Sequence, residues 1–186
     1  PVILITGAAG NVGEALIARL AGRYAIVGLD IRAADRADLS VHMDITSQDS
    51  VRDALAQAAG AYGRRFAAVI HLAAYFDFTG EDHPAYHAVN EEGTRHLLEA
   101  LQAYQVGRFI YSGTMLVHAP AAPGERIDET STLAPQWAYP QSKARTEEIT
   151  SQTRGDIPVT RLHLAGLYDE YTAVPTLSHQ IARIYE

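Results

Sequence analysis

The chain contains no cysteine, which rules out disulfides, a thiolate nucleophile and thiolate metal ligation within it. A cysteine-free composition agrees with a reducing compartment, and a cytoplasmic protein is the expectation. No apolar run approaches the roughly 18 residues that a membrane span requires, so no membrane partner is expected. No lysine/arginine cluster interrupts a net charge of −7, and this disfavours a nucleic-acid partner, whose phosphates need a basic surface. No signal-peptide pattern precedes the strand-like Val2-Ile3-Leu4-Ile5. There is no internal repeat and no low-complexity tract. His83 and His87 have the spacing of a helical metal pair, but Pro84 lies between them, so scattered surface histidines and no metal site are expected. What remains is ordinary globular composition: 47% hydrophobic and 20% charged residues over 186 positions, enough for one domain with a sizeable core.

Periodicity divides that domain into alternating elements. Val2 to Ile5 is a continuous apolar run, as in a strand covered on both faces. Val12, Leu16 and Leu20 predict a helix over 11–21, with Gly22 as its stop. Further strands are predicted over 24–29, 41–43, 66–72, 108–112 and 159–164. Further helices are predicted from a Thr46/Asp49 capping box through Ala58, then over 84–105, 140–153 and 177–185. Residues 118–138 are rich in Pro, Ala, Gly and Thr and read as a long loop. Alternation of this kind implies right-handed βαβ units and a doubly wound parallel sheet with helices on both faces. Its expected order is 3-2-1-4-5-6, with a ligand beyond the carboxyl ends of strands one and four.

Two motifs carry the chemistry. In Thr6-Gly7-Ala8-Ala9-Gly10-Asn11-Val12-Gly13, Gly7 permits a tight turn, Gly10 a close approach to phosphate, and Gly13 close packing of helix on strand. The amides that open the helix then face an anion. Asp30 ends the second strand, where its carboxylate can accept from adenosine ribose hydroxyls and repel a 2′-phosphate. NAD is therefore expected over NADP. Arg32 either pairs with a phosphate or is a solvated surface arginine. The second motif, Tyr139-Pro140-Gln141-Ser142-Lys143, puts a phenol and an ammonium on one helix face. A free phenol has a pKa of about 10, and a neighbouring ammonium is expected to lower it.

With these motifs in this order, the chain resembles the extended short-chain dehydrogenase/reductase family, which includes nucleotide-sugar epimerases and dehydratases. The resemblance rests on the glycine turn, on Asp44-Ile45, on His71-Leu72-Ala73-Ala74 and on Val89-Asn90-Glu91-Glu92-Gly93-Thr94. Ile127-Asp128-Glu129 through Pro135 and the Tyr139/Lys143 motif complete it. It implies a Rossmann-like fold, NAD as cofactor and a small-molecule substrate. Tyr139 is the implied acid/base, Lys143 its partner, and Thr114 the hydroxyl that orients the substrate oxygen, with Ser112 as a second candidate. Asp44 and Ile45 would meet adenine, and Leu72, Ala73 and Ala74 would flank the cofactor. Asn90 either orders the cofactor side or shapes its helix. Tyr75-Phe76-Asp77-Phe78 either lines a substrate pocket or simply packs.

Three departures stand out. Gly113 replaces a commoner serine, His118-Ala119 replaces Tyr-Gly, and Arg161 to Tyr168 lacks N-x-Y-G-P. The resemblance further implies a homodimer formed through the helices near 84–105 and 140–153. It also implies a division into an NAD-binding domain over 1–170 and, over 171–186, the start of a substrate region that is largely absent. The expected reaction is tyrosine-assisted hydride transfer on a secondary alcohol of a sugar or nucleotide sugar. The alternatives are a hydroxysteroid-type dehydrogenase and a non-catalytic nucleotide sensor on the same fold.

Overall fold

A computed structural model describes residues 1–77 and 79–167. Its centre is strand β1 (Val2–Thr6), buried from Ile3 onward. After the glycine turn and helix α1 (Asn11–Leu20) come β2 (Ala25–Asp30), β3 (Leu39–His42) and helix α2 (Gln48–Tyr62). Then follow β4 (Arg65–Phe66), β5 (Ala68–His71), a π-helical turn (Tyr86–Glu92) and α3 (Gly93–Leu101). The chain continues through β6 (Gln105–Val106), β7 (Phe109–Thr114), a 3₁₀ turn (Met115–Val117), α4 (Ala138–Thr153) and β8 (Val159–Leu164).

Six strands form one parallel sheet in the order β3-β2-β1-β5-β7-β8. This is the doubly wound order read from the sequence, with two-residue β4 and β6 pairing separately at the sheet's amino end. Alternation along β1 sends Leu4 to one face and Ile3 and Ile5 to the other. Leu4 packs with Val51, Leu55, Leu97 and Leu98 from α2 and α3. Ile3 and Ile5 pack with Ile17 of α1. Helix α4 lies beside α3 on the first face. The centre of the sheet is thus covered on both sides, which is why β1 reads as an apolar run.

Several boundaries differ from expectation, each for a local reason. The cap of α2 is Ser47, whose Oγ accepts from Ser50 N at 3.3 Å. Thr46 is drawn back to Asp44, donating to its Oδ1 from both N (2.9 Å) and Oγ1 (2.7 Å). The predicted helix over 84–105 divides into the π-helical turn and α3, and it ends at Leu101. The wide turn carries Asn90 inward. Directly after it, a Cβ on Gly93 would meet Ile45 at 2.9 Å. Helix α4 begins at Ala138, two residues earlier than predicted. Pro140 sits in its first turn, where no intrahelical partner for an N–H exists. The predicted loop over 118–138 contains only a bridge between His118 and Leu133 before α4. The predicted helix over 177–185 and the boundary at 170/171 lie outside the described residues.

Candidate functional site

The glycine turn lies at the carboxyl end of β1. Gly7 has φ +68°, and a Cβ there would lie 2.7 Å from Ala73 N. At Gly13 it would lie 2.5 Å from Gly7 O, so the turn tolerates no side chain beneath it. A Cβ on Gly10 would come 3.3 Å from Gly7 O. These three bare positions leave backbone alone facing a cleft of about 340 Å³. Its walls include Gly7, Gly10, Asp30, Arg32, Asp44, Ile45, Leu72, Ala73 and Ala74, nine of the residues named from the sequence.

Asp30 is held at the rim of the cleft. Its Oδ2 accepts from Ala9 N and its Oδ1 from Arg32 N, both at 3.0 Å. Arg32 is exposed but not merely solvated: its Nη2 donates to Ala9 O at 2.7 Å, folding the guanidinium over the turn. Carboxylate and guanidinium therefore brace the same loop.

A second cavity of about 650 Å³ adjoins the first, and Leu72 and Ala74 belong to both. Val12, Ser112, Thr114, Tyr139 and Lys143 line it. Phe76 lies there too, 4.5 Å from the Tyr139 ring in an edge-on contact; Phe78 lies outside the described residues. Ser112 Oγ donates to His71 O at 2.8 Å. Thr114 Oγ1 accepts from Leu116 N at 3.2 Å, which fixes that hydroxyl at the cavity wall.

Burial governs both members of the tyrosine/lysine motif. It pushes the Tyr139 phenol up to about 12, with the nearby Tyr86 adding to the rise. The sequence expectation is a phenol lowered by the ammonium; burial acts in the opposite direction. The Lys143 ammonium is pulled down to about 8 by burial and partly restored by Glu147. Its Nζ lies 4.6 Å from the centroid of the Tyr111 ring.

Asn11, Gly13 and Asn90 line neither cavity. Gly13 is a packing contact, as the motif implied. Asn90 belongs to a buried polar network. Its Oδ1 accepts from Tyr75 N at 2.7 Å, and its Nδ2 donates to Ser142 Oγ at 3.0 Å. Ser142 Oγ in turn donates to Tyr139 O at 2.8 Å. The helix-shaping alternative for Asn90 is thus the one its contacts describe, and it carries the backbone of Tyr139 with it.

Sequence reasoning missed the second half of this network. His71 is buried between Thr6 Oγ1 (2.7 Å from Nδ1) and Thr94 Oγ1 (2.8 Å from Nε2). Thr94 Oγ1 donates to Asn90 O at 2.6 Å, so Nε2 of His71 carries the proton. Burial and the Lys143 charge pull this imidazole down to about 3. The threonines at the end of β1 and within the V-N-x-x-G-T motif were the available signal, but only the fold brings them to one ring. His83 stacks on Tyr75 and His87 pairs with Glu91. Among the described residues, no group of three or more His, Asp or Glu is placed to hold a metal.

Residues 3–186 match the model of the NAD dependent epimerase/dehydratase family. The chain belongs to that family. Its members by similarity include human 3 beta-hydroxysteroid dehydrogenase type 7, 28% identical over 98% of this chain and 52% of that protein. A dTDP-glucose 4,6-dehydratase of Streptomyces niveus is 30% identical over 86% of this chain and 52% of its own length. Among solved structures, a short-chain dehydrogenase/reductase superfamily protein of Agrobacterium tumefaciens, crystallised with bound NAD, superposes with a TM-score of 0.73. It is 30% identical, covering 88% of this chain and 48% of that one. The chain spans about half the length of the curated relatives it matches. No helix among the described residues is long and apolar enough to cross a membrane.

Proposed function

We propose that the chain is the cofactor-binding and proton-transferring part of an NAD-dependent epimerase, dehydratase or dehydrogenase. Its substrate is a secondary alcohol, that of a sugar or nucleotide sugar. The observation that carries this reading is the adjacency of the two cavities, one walled by the glycine turn and the other by Tyr139, Lys143 and Thr114, across shared Leu72 and Ala74. The dehydratase similarity and the NAD-bound relative support it.

Gly7, Gly10 and the amides opening α1, at Asn11 and Val12, would receive the pyrophosphate. Asp30 would accept from the ribose, and Asp44 and Ile45 would flank the base. Bound NAD supplies the carbon that accepts and returns hydride. The chain's own part is to hold and move a proton. A phenol held near 12 is protonated at neutral pH and poised to donate to a carbonyl oxygen. In the oxidative direction Tyr139 must first lose that proton, and a charged Lys143 opposes the penalty of forming phenolate. Thr114 fixes the substrate oxygen beside the phenol. The other wall of the substrate pocket would come from residues past 170.

A hydroxysteroid-type substrate is the second reading. It is favoured by the apolar side of the same cavity, where Val12, Phe76, Leu116, Leu164 and Leu167 stand, and by the 3 beta-hydroxysteroid dehydrogenase similarity. A non-catalytic sensor is disfavoured by the Tyr139/Lys143 pair. We place the protein as a homodimer through the faces of the π-helical turn, α3 and α4, where Arg145 and His87 both pair with Glu91.

The deciding experiment incubates the protein with NAD and nucleotide sugars, free sugars or hydroxysteroids, following NADH absorbance and analysing the products. Tyr139→Phe should lower turnover by about 10² or more while leaving NAD affinity nearly intact. A variant that keeps a near-normal rate, or a protein that fails to bind NAD, overturns the reading.

A further inference from the structure

The three departures from the family pattern, Gly113, His118 and the segment holding His163, meet at one place. His163 Nε2 lies 2.8 Å from Glu147 Oε1, and His163 Nδ1 lies 2.8 Å from His118 Nε2. With His163 Nε2 donating to the carboxylate, its Nδ1 accepts from His118 Nε2, so the neutral chain ends at His118; Thr132 O, 3.3 Å from His118 Nδ1, accepts only from the doubly protonated ring. A Cβ at position 113 would stand 2.9 Å from His163 Cδ2 and 3.2 Å from Glu147 Oε1, so the glycine makes the room that these side chains fill. Glu147 and His118 are buried, and His163 is partly so.

Glu147 follows Lys143 by four residues on α4, one helical turn along the same face. Lys143 is the single lysine of the sequence and is 3% exposed. An ammonium taken out of water is costly unless a counter-charge accompanies it. The titratable groups facing it are His71 from β5, Tyr111 from β7, and Tyr139 and Glu147 from α4. Only Glu147 among these is a carboxylate. On its other side Glu147 faces His163 and Arg161 from β8. Asp128 and Glu129 line the cavity beyond, of about 700 Å³.

We propose that Glu147 is a positioning residue for the catalytic lysine: oriented by His163 and, through it, by His118, its carboxylate keeps the Lys143 side chain charged inside the fold. The inference rests on the reading of Lys143 as the partner of Tyr139. Burial pulls the ammonium down and the Glu147 carboxylate acts in the opposite direction. His163 and His118 prevent the carboxylate from swinging to solvent. The departures in sequence are therefore one device, with Gly113 as the vacated space.

The test reads the charge on Lys143 directly. Protein carrying ¹³Cε-lysine is titrated by NMR, and Lys143→Arg identifies the signal by deleting it. Glu147→Gln, nearly isosteric, should lower the Lys143 midpoint by about one pH unit, and the alkaline limb of kcat/KM should follow. Glu147→Met removes the charge a second way and should shift the midpoint in the same direction. Glu147→Asp disturbs packing but keeps the charge, and its midpoint should stay near that of the wild type. An unmoved midpoint in a folded Gln or Met variant overturns the proposal, as does an Asp variant displaced as far as either. A protein without NAD turnover still reports this titration, so failure of the functional reading and failure of this one are told apart.

Discussion

Replacing Asp30 with asparagine exchanges a carboxylate for an amide of nearly equal size at the rim of the nucleotide cleft. The carboxylate is fixed by Ala9 N and Arg32 N, both at 3.0 Å, so it cannot turn away from a ligand in the cleft. Two unit charges about 4 Å apart repel by about 1 kcal/mol in water and about 4 kcal/mol at the effective dielectric of a protein surface. An adenosine 2′-phosphate brought to this rim should therefore lose roughly 5-fold to nearly 1,000-fold in affinity relative to a free ribose. Arg32 works against that penalty, but its guanidinium is engaged at 2.7 Å with Ala9 O, which places the result toward the lower end. In Asp30→Asn the repulsion disappears, and NADP should bind about 5-fold tighter or more. NAD should bind several-fold weaker, because a charge-assisted hydrogen bond becomes a neutral one. Calorimetric titration of both cofactors at low and high salt measures this. The wild-type gap should narrow at high salt because the cleft is open to solvent. Equal affinities of the wild type for NAD and NADP, or an unchanged ratio in Asp30→Asn, would refute the reasoning.

His71 gives a prediction on stability. Its folded pKa is lowered from 6.5 to about 3, so between those values the unfolded chain binds a proton that the folded chain refuses. Stability should accordingly be fully present above pH 6.5 and fall by up to about 1.4 kcal/mol per pH unit as pH drops toward 3. Urea unfolding across that range should show a shallower slope in His71→Gln than in the wild type; parallel slopes would contradict it. The proposed homodimer should give twice the chain mass by light scattering at micromolar concentration, and a monomer mass would exclude the interface through α3 and α4.

The parts of this molecule that were legible in the sequence are those where cause and effect lie close along the chain. Strand β1 was readable because a strand covered on both faces demands contiguous apolar residues, and nothing distant is needed to decide that. The glycine turn was readable because each glycine answers to backbone a few residues away, apart from the contact of Gly7 with Ala73. The π-helical turn was not. A hydrophobic period of about 3.6 continues through it, while the added width is stabilised by Asn90 reaching Tyr75 and Ser142, 15 and 52 residues distant. The misplaced cap of α2 has a nearer cause: Thr46 and Ser47 are equally good caps by type, and Asp44 takes the first.

The candidate site divides along the same line. Tyr139 and Lys143 share a helix face by spacing alone, but the direction of the phenol's shift is decided by how deeply the fold buries it, which no spacing encodes. The departures from the family pattern show the limit most clearly. His163 lies 45 residues beyond His118 in the chain, and nothing in the spacing of Gly113 and His118 shows that it joins them. Packed together they account for one another. A serine at 113 would collide with His163, and without His163 the Glu147 carboxylate would lose the donor that holds its Oε1. If that account is right, Gly113→Ser should disturb Lys143 in the way that Glu147→Gln does, although position 113 carries no charge and the substitution introduces none. A shift in the lysine titration produced by an added hydroxymethyl group would tie the backbone departure to the electrostatics of the site.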